Sequence, residues 1–138
     1  MTEQKDIQQL LESSLMHQTI DSLHFWGPAY ELSCDNSFYD EVRLTIEGAF
    51  ELVQHGETTY VTREASEKLI HLTTLARQKI LSVRLAEPND LVVGFVSGVK
   101  LRVIGDNGPF ESWQLQARVN EEKVLAIAGP GERLSLFE

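Results

Sequence analysis

The 138 residues contain a single cysteine, Cys34, so no internal disulfide can form. That usage suits a reducing compartment. No apolar run approaches the ~20 residues of a membrane-spanning helix. The opening stretch, "MTEQKDIQQLLESSL", has acids and glutamines where a secretory signal needs an apolar centre. The expectation is a cytoplasmic protein of one domain, residues 1–138, with enough chain to bury a core without staples.

Basic residues are scarce where acids are dense. Residues 1–60 hold eleven Asp and Glu against only Lys5 and Arg43, whereas residues 61–138 hold ten of each sign, so the whole net charge of −9 lies in the first half. Nucleic acid is a poor partner for such a chain, because phosphate binding needs concentrated Lys and Arg. A basic protein would instead be attracted and steered. The same acidity also serves solubility.

Chemistry-bearing motifs are equally sparse. The four histidines, His17, His24, His55 and His71, lack the close pairing of a zinc site. Cys34, in "LSCDNS", has acids around it that would raise its pKa rather than activate it. "GDNGPFESW" holds Gly, Asp and Asn but lacks the Lys-Ser/Thr of a phosphate-binding loop, and it opens no helix. No catalytic residue, metal or cofactor is expected, and a non-enzymatic role follows.

What the chain does have is a weak internal echo. "IQQLLESSLMHQTIDSLHF" (7–25) and "EKLIHLTTLARQKILSVRL" (67–85) share Leu15/Leu75, Gln18/Gln78, Ile20/Ile80 and Ser22/Ser82 at a constant offset of 60. "LTIEGAFEL" (44–52) resembles "VGFVSGVKL" (93–101), each reading as a hairpin. The expectation is an internal duplication of residues 1–60 and 61–138, each copy a helix, a strand and a hairpin. In the first helix Ile7, Leu10, Leu11, Ser14 and Leu15 share one face, with Thr2 as cap. In the second, Ala65, Leu69, Leu72, Thr73 and Ala76 share one, with Thr62 as cap. Both are about 13 residues long and need a sheet to pack on.

Period-two alternation puts Leu81, Val83 and Leu85 on one strand face, as it does Leu91, Val93 and Phe95, and Val99, Leu101 and Val103. "KVLAIA" (123–128) and "LSLF" (134–137) supply the last strands. The fold class is α+β, antiparallel sheet with helices packed on one face; a helix-capped small β-barrel is the alternative.

Two stretches are candidate sites. "FWGPAYELSCDNSFYDEV" (25–42) interleaves aromatics with acids, the composition of an interface for a basic, partly apolar partner. Its candidate contacts are Trp26, Tyr30, Asp35, Tyr39, Asp40 and Glu41. The other is "FESWQL" (110–115), where alternation makes Trp113 a core residue and brings Glu111 onto the same face at its rim. A carboxylate there must find hydrogen-bond partners or have its pKa raised. It could sit at a pocket mouth for a small ligand or act as a base. A third role is a structural homodimer joined through sheet edges or the long hairpin.

"FESWQL" and "GPGERLSLF" also carry a likeness. Together with "LTTLARQKILSVRLAEPNDLVVGFVSGVKLRVIG", they resemble an uncharacterised bacterial family of small proteins. That family has an aromatic-Glu-small-Trp strand and a Pro-Gly-Gly turn before a last short strand. Phe110, Glu111, Ser112, Trp113, Pro130 and Gly131 fit; Glu132 stands where the second glycine would be. The resemblance covers residues 65–138 clearly and the first half loosely. It implies no activity, and it implies a binding role like that of immunity partners of secreted toxins.

Overall fold

The computed structural model describes residues 2–26, 29–34 and 36–138, without the side chains of Thr2 and Trp26. Among the described residues there are two helices and eleven strands. They are α1 (Thr2–Leu15), β1 (Ile20–Trp26), β2 (Ala29–Cys34), β3 (Glu41–Ile46), β4 (Phe50–Gln54), β5 (Glu57–Val61), α2 (Lys68–Thr73), β6 (Ile80–Ala86), β7 (Asp90–Phe95), β8 (Lys100–Val103), β9 (Trp113–Val119), β10 (Glu122–Ala128) and β11 (Leu134–Phe137).

The protein is mostly β, with two antiparallel sheets and no closed barrel. One sheet runs β1-β2-β3-β9-β10-β11, the other β5-β4-β8-β7-β6. Alternation supplies the core: Leu32, Leu44, Leu115 and Ala126 from the first sheet meet Leu52, Val83, Val93 and Leu101 from the second in one buried cluster. Outward positions, such as the cross-strand row Ser33, Arg43 and Gln116, are polar and half-buried.

The expected cover of helices on one sheet face is therefore wrong: the sheets cover each other. The reason lies in two crossovers. β3 leaves the first sheet at Ile46 and β4 enters the second at Phe50; β8 leaves the second at Val103 and β9 enters the first at Trp113. "LTIEGAFEL" is thus a link between sheets and not the hairpin its pattern suggests, whereas "VGFVSGVKL" is the true β7–β8 hairpin. At the first crossover the backbone N–H groups of Glu47 and Gly48 both donate to the carbonyl of Ser112, at 2.8 and 3.0 Å. A Cβ on Gly48 would lie 3.2 Å from that of Ser112, so the two links pass tightly and a side chain there would need its neighbours to give by a few tenths of an ångström.

The offset of 60 has a geometric counterpart. His17 N–H donates to Ile80 O and Arg77 N–H to Ile20 O, both at 2.8 Å. Ile20 N–H donates to Gln78 O and Ile80 N–H to Gln18 O. His17 and Arg77 have φ of 67° and 66°. The pairing register shifts between Ile20 and Ser22 in β1, and between Ile80 and Ser82 in β6. That second shift overturns one expectation: Leu81 does not share the core face with Val83 but is 52% exposed.

α1 is as the periodicity requires, with Ile7, Leu10, Leu11, Ser14 and Leu15 all buried. It packs against β6 and β11 and occupies their edges. The Gln8 amide donates to Val83 O and accepts from Leu85 N–H, at 3.0 and 2.8 Å, as a neighbouring strand would. Glu3 accepts from Leu136 N–H. α2 is a correction: it has six residues, and Glu67 rather than Thr62 stands at its start. Leu72 is buried as expected, but Thr73 and Ala76 are exposed, and Leu75 takes the inward place. Thr73 and Thr74 turn their hydroxyls onto the carbonyls of Ile70 and His71, at 2.7 and 2.6 Å. The backbone amides that follow tighten to the residue three back, Thr74 N–H to His71 O, Leu75 N–H to Leu72 O and Ala76 N–H to Thr73 O, as the helix ends.

Candidate functional site

The residues from β1 to β3 form a meander of three strands. Asp35 and the side chain of Trp26, both expected contacts, lie outside the described residues. Tyr30 is half-buried opposite Ile46, with the Phe25 ring at 6.0 Å and the Lys68 ammonium 5.1 Å from its own ring centre. Tyr39 is half-buried, its hydroxyl 3.1 Å from Ser13 Oγ on α1. Neither tyrosine is the most accessible aromatic among the described side chains of this segment. That is Phe38, 66% exposed.

Phe38 is held out by a small device. Asn36 Oδ1 accepts from the backbone N–H of Phe38 and of Tyr39, at 2.8 and 3.0 Å, and Asn36 Nδ2 donates to Ser14 O at 2.9 Å. This Asx turn ties the loop to the end of α1. The Tyr39 ring meets Phe38 edge-on at 4.9 Å. An open depression of about 290 Å³, lined by His17, Gln18, Thr19, Asn36 and Ser37, adjoins the loop. Composition alone did not single out Phe38; the Asn two residues before it was the available signal.

The expected acids are largely committed to arginines. Glu41 lies 2.6 Å from Arg43 Nη2 and 3.8 Å from Arg118 Nε. Asp40 accepts from Asn120 N–H at 2.7 Å and lies 4.0 Å from Arg118. Glu31, buried on β2, lies 3.6 Å from Arg43 Nε. Cross-strand pairing puts Glu41 opposite Arg118, a neighbour 77 positions away that no local pattern reveals.

Glu111 departs from its expected place. β9 begins only at Trp113, and Ser112 turns inward, wholly buried, its amide bonded to Ala128 O. The alternation therefore does not extend back to Glu111. Its carboxylate accepts from Gln114, on the face opposite Trp113, and Gln114 Nε2 also lies 3.4 Å from Glu47 Oε2. Trp113 is wholly buried and donates its indole N–H to Asn89 O at 2.9 Å, so it presents nothing to a ligand.

Glu111 and Gln114 meet Glu47 of the first crossover, and Glu47 in turn meets Arg63 and Lys68. Burial, then the Glu111 charge, pushes the Glu47 carboxyl up, while Arg63, Lys68 and Gln114 pull it down. Lys68 is buried and donates to Glu47 O at 3.3 Å. Burial and the Arg63 charge lower its ammonium to about 8, against the opposing pull of Glu47. Arg63 stacks on the Phe110 ring at 4.3 Å. Glu47, Arg63 and Lys68 were not legible as a cluster, since only folding joins them.

Among the described residues no group of three or more His, Cys, Asp or Glu is placed to hold a metal ion. Among the same residues no helix is long and apolar enough to cross a membrane. Burial, and secondarily Asp21, pushes the Cys34 thiol up to about 12. We expect Cys34 to resist a thiol-alkylating reagent at pH 8 in the folded protein and to react only in denaturant. Rapid labelling without denaturant would show that β2 opens readily.

Among curated proteins and among solved structures, none matches the chain. A family model does, over residues 30–138, from β2 through the last strand. The chain therefore belongs to the family of unknown function DUF6188.

Proposed function

We propose that this chain is a non-enzymatic protein-binding module whose anchor is Phe38. The observation that carries the reading is a large aromatic ring two-thirds exposed on a loop held by Asn36. A rigid exposed aromatic loses little entropy when it enters a partner's pocket, which is how interface hot spots work. The partner is a basic protein, drawn by the net charge of −9. The reading carries with it the bacterial, cytoplasmic and immunity-like character that the resemblance implies. It includes an internal duplication of residues 1–60 and 61–138. The matched junction bonds and matched bulges at an offset of 60 support that duplication.

Asp40 and Glu41 are poor places to test this, because replacing them would break the pairs with Arg43 and Arg118. Phe38→Ala is cleaner. With the partner isolated from the native cell, it should weaken binding by about 2 kcal/mol, roughly thirtyfold, and leave the melting temperature unchanged. Binding that survives Phe38→Ala intact would sink the reading.

A second reading rests on the Glu47–Glu111–Lys68 group, where a raised carboxyl and a lowered ammonium share one cluster. Such pairs mark small-ligand and catalytic sites. A ligand whose thermal stabilisation of the wild type disappears in Glu111→Gln would favour it.

A further inference from the structure

Sheet edges invite pairing unless something blocks them. Three of the four edges here are engaged along part of their length. Gln8 bonds the backbone of β6, Glu3 bonds that of β11, and Arg77 and Gln78 bond that of β1 at Ile20. β5 differs. Its two-residue connection to β4, His55 and Gly56 with φ of 54° and 79°, makes Gln54 and Glu57 the closing bonded pair. Bonding to β4 then falls on Glu57, Thr59 and Val61, and the N–H and C=O of Thr58 and Tyr60 point outward. Among the described residues neither makes a hydrogen bond beyond the sheet. Glu57, Thr58, Thr59 and Tyr60 are all exposed, with no proline, lysine or bulge to blunt the edge.

We infer that β5 is the dimerisation edge of this protein, pairing antiparallel with β5 of a second copy. The charges on the page select that occupant and its register. A twofold axis at Tyr60 sets Tyr60 against Tyr60, Thr58 against Thr62, and Glu57 of one copy against the turn carrying Arg63 of the other. Glu57 has no ion pair among the described residues; Arg63 lies 3.7 Å from Glu64 and rests on the Phe110 ring. Each end of the ribbon thus brings Glu57 to Arg63, which also carries its own partner Glu64. Tyr60 pairs and Thr pairs are favourable cross-strand neighbours.

The test is sedimentation equilibrium of the full chain over a wide concentration range, with amide exchange followed residue by residue. The expected result is a mass rising from 15.6 kDa toward twice that value. The Thr58 and Tyr60 amides should slow at least about tenfold as it rises. Thr58→Pro removes an N–H that β4 does not use, and it should weaken the dimer at least about tenfold. Tyr60→Lys should do the same should the proline disturb folding. A mass of 15.6 kDa at every concentration overturns the inference, as does a dimer in which Thr58 and Tyr60 exchange as fast as in the monomer.

Discussion

Trp113→Ala is expected to destabilise the fold by about 3–5 kcal/mol, the cost of emptying a large aromatic site. A total stability of roughly 5–15 kcal/mol leaves little after that. Trp113 is wholly buried where β9 enters the first sheet, opposite Ile46 of β3 and Ala128 of β10. Its indole N–H satisfies the carbonyl of Asn89, itself wholly buried. The Asn89 amide in turn donates to Gly131 O and Arg133 O, at 3.3 and 2.9 Å, so one ring ties the β7 turn to the turn before β11. A Cβ on Gly105 would lie 2.0 Å from Asn89 Oδ1, so this joint leaves no spare room. Trp113→Phe keeps most of the bulk but strands the Asn89 carbonyl; about 1–3 kcal/mol should go. Urea unfolding of the three proteins measures both. A loss below 1 kcal/mol for the alanine variant would mean the two turns are held by something else.

The second large effect is a stability that rises with pH. The Lys68 ammonium, lowered by burial, gives up its proton near 8 in the folded chain, against 10.5 when unfolded. Between those values the unfolded chain binds more protons, so the folded state gains as pH rises, by about 1 kcal/mol from pH 8 to 9. Cys34 acts in the opposite sense. Its thiol keeps its proton to about 12 when folded, against 9.0 when unfolded, so it takes stability away above pH 9. The rise is therefore clearest between pH 8 and 9, and Cys34→Ala should extend it toward 10. Lys68→Met should flatten it. Denaturant titrations at pH 7, 8, 9 and 10 provide the check. A Lys68→Met protein that keeps the full rise would place its source in another group.

Local chemistry was enough for much of this protein. Residues at i, i+3 and i+4 placed α1, because a helix three to four turns long with one apolar face has only one way to bury it. Alternation placed β7, β8, β9 and β10, and Trp113 in the core. The resemblance carried by "FESWQL" and "GPGERLSLF" led to a family of unknown function, and the match over residues 30–138 agrees with that much. The segment between Phe25 and Val42 was legible as aromatic and acidic, but not which aromatic would face solvent. That depended on Asn36 bonding Ser14, a contact between a loop and a helix end.

The remainder was decided by partners distant in sequence. Alternation tells which residues share a face, not which sheet a strand joins, so β3–β4 looked like a hairpin although its strands belong to different sheets. A single bulge at Ile80–Ser82 turned Leu81 outward against its pattern. Glu41 met Arg118, and Glu47 met Lys68, Glu111 and Gln114, only once the crossovers brought their segments together. Side-chain period and turn chemistry act over a few residues, and the sequence determined what depends on them. Strand order and charge pairing depend on how two sheets close on one another, and that only the tertiary structure decided.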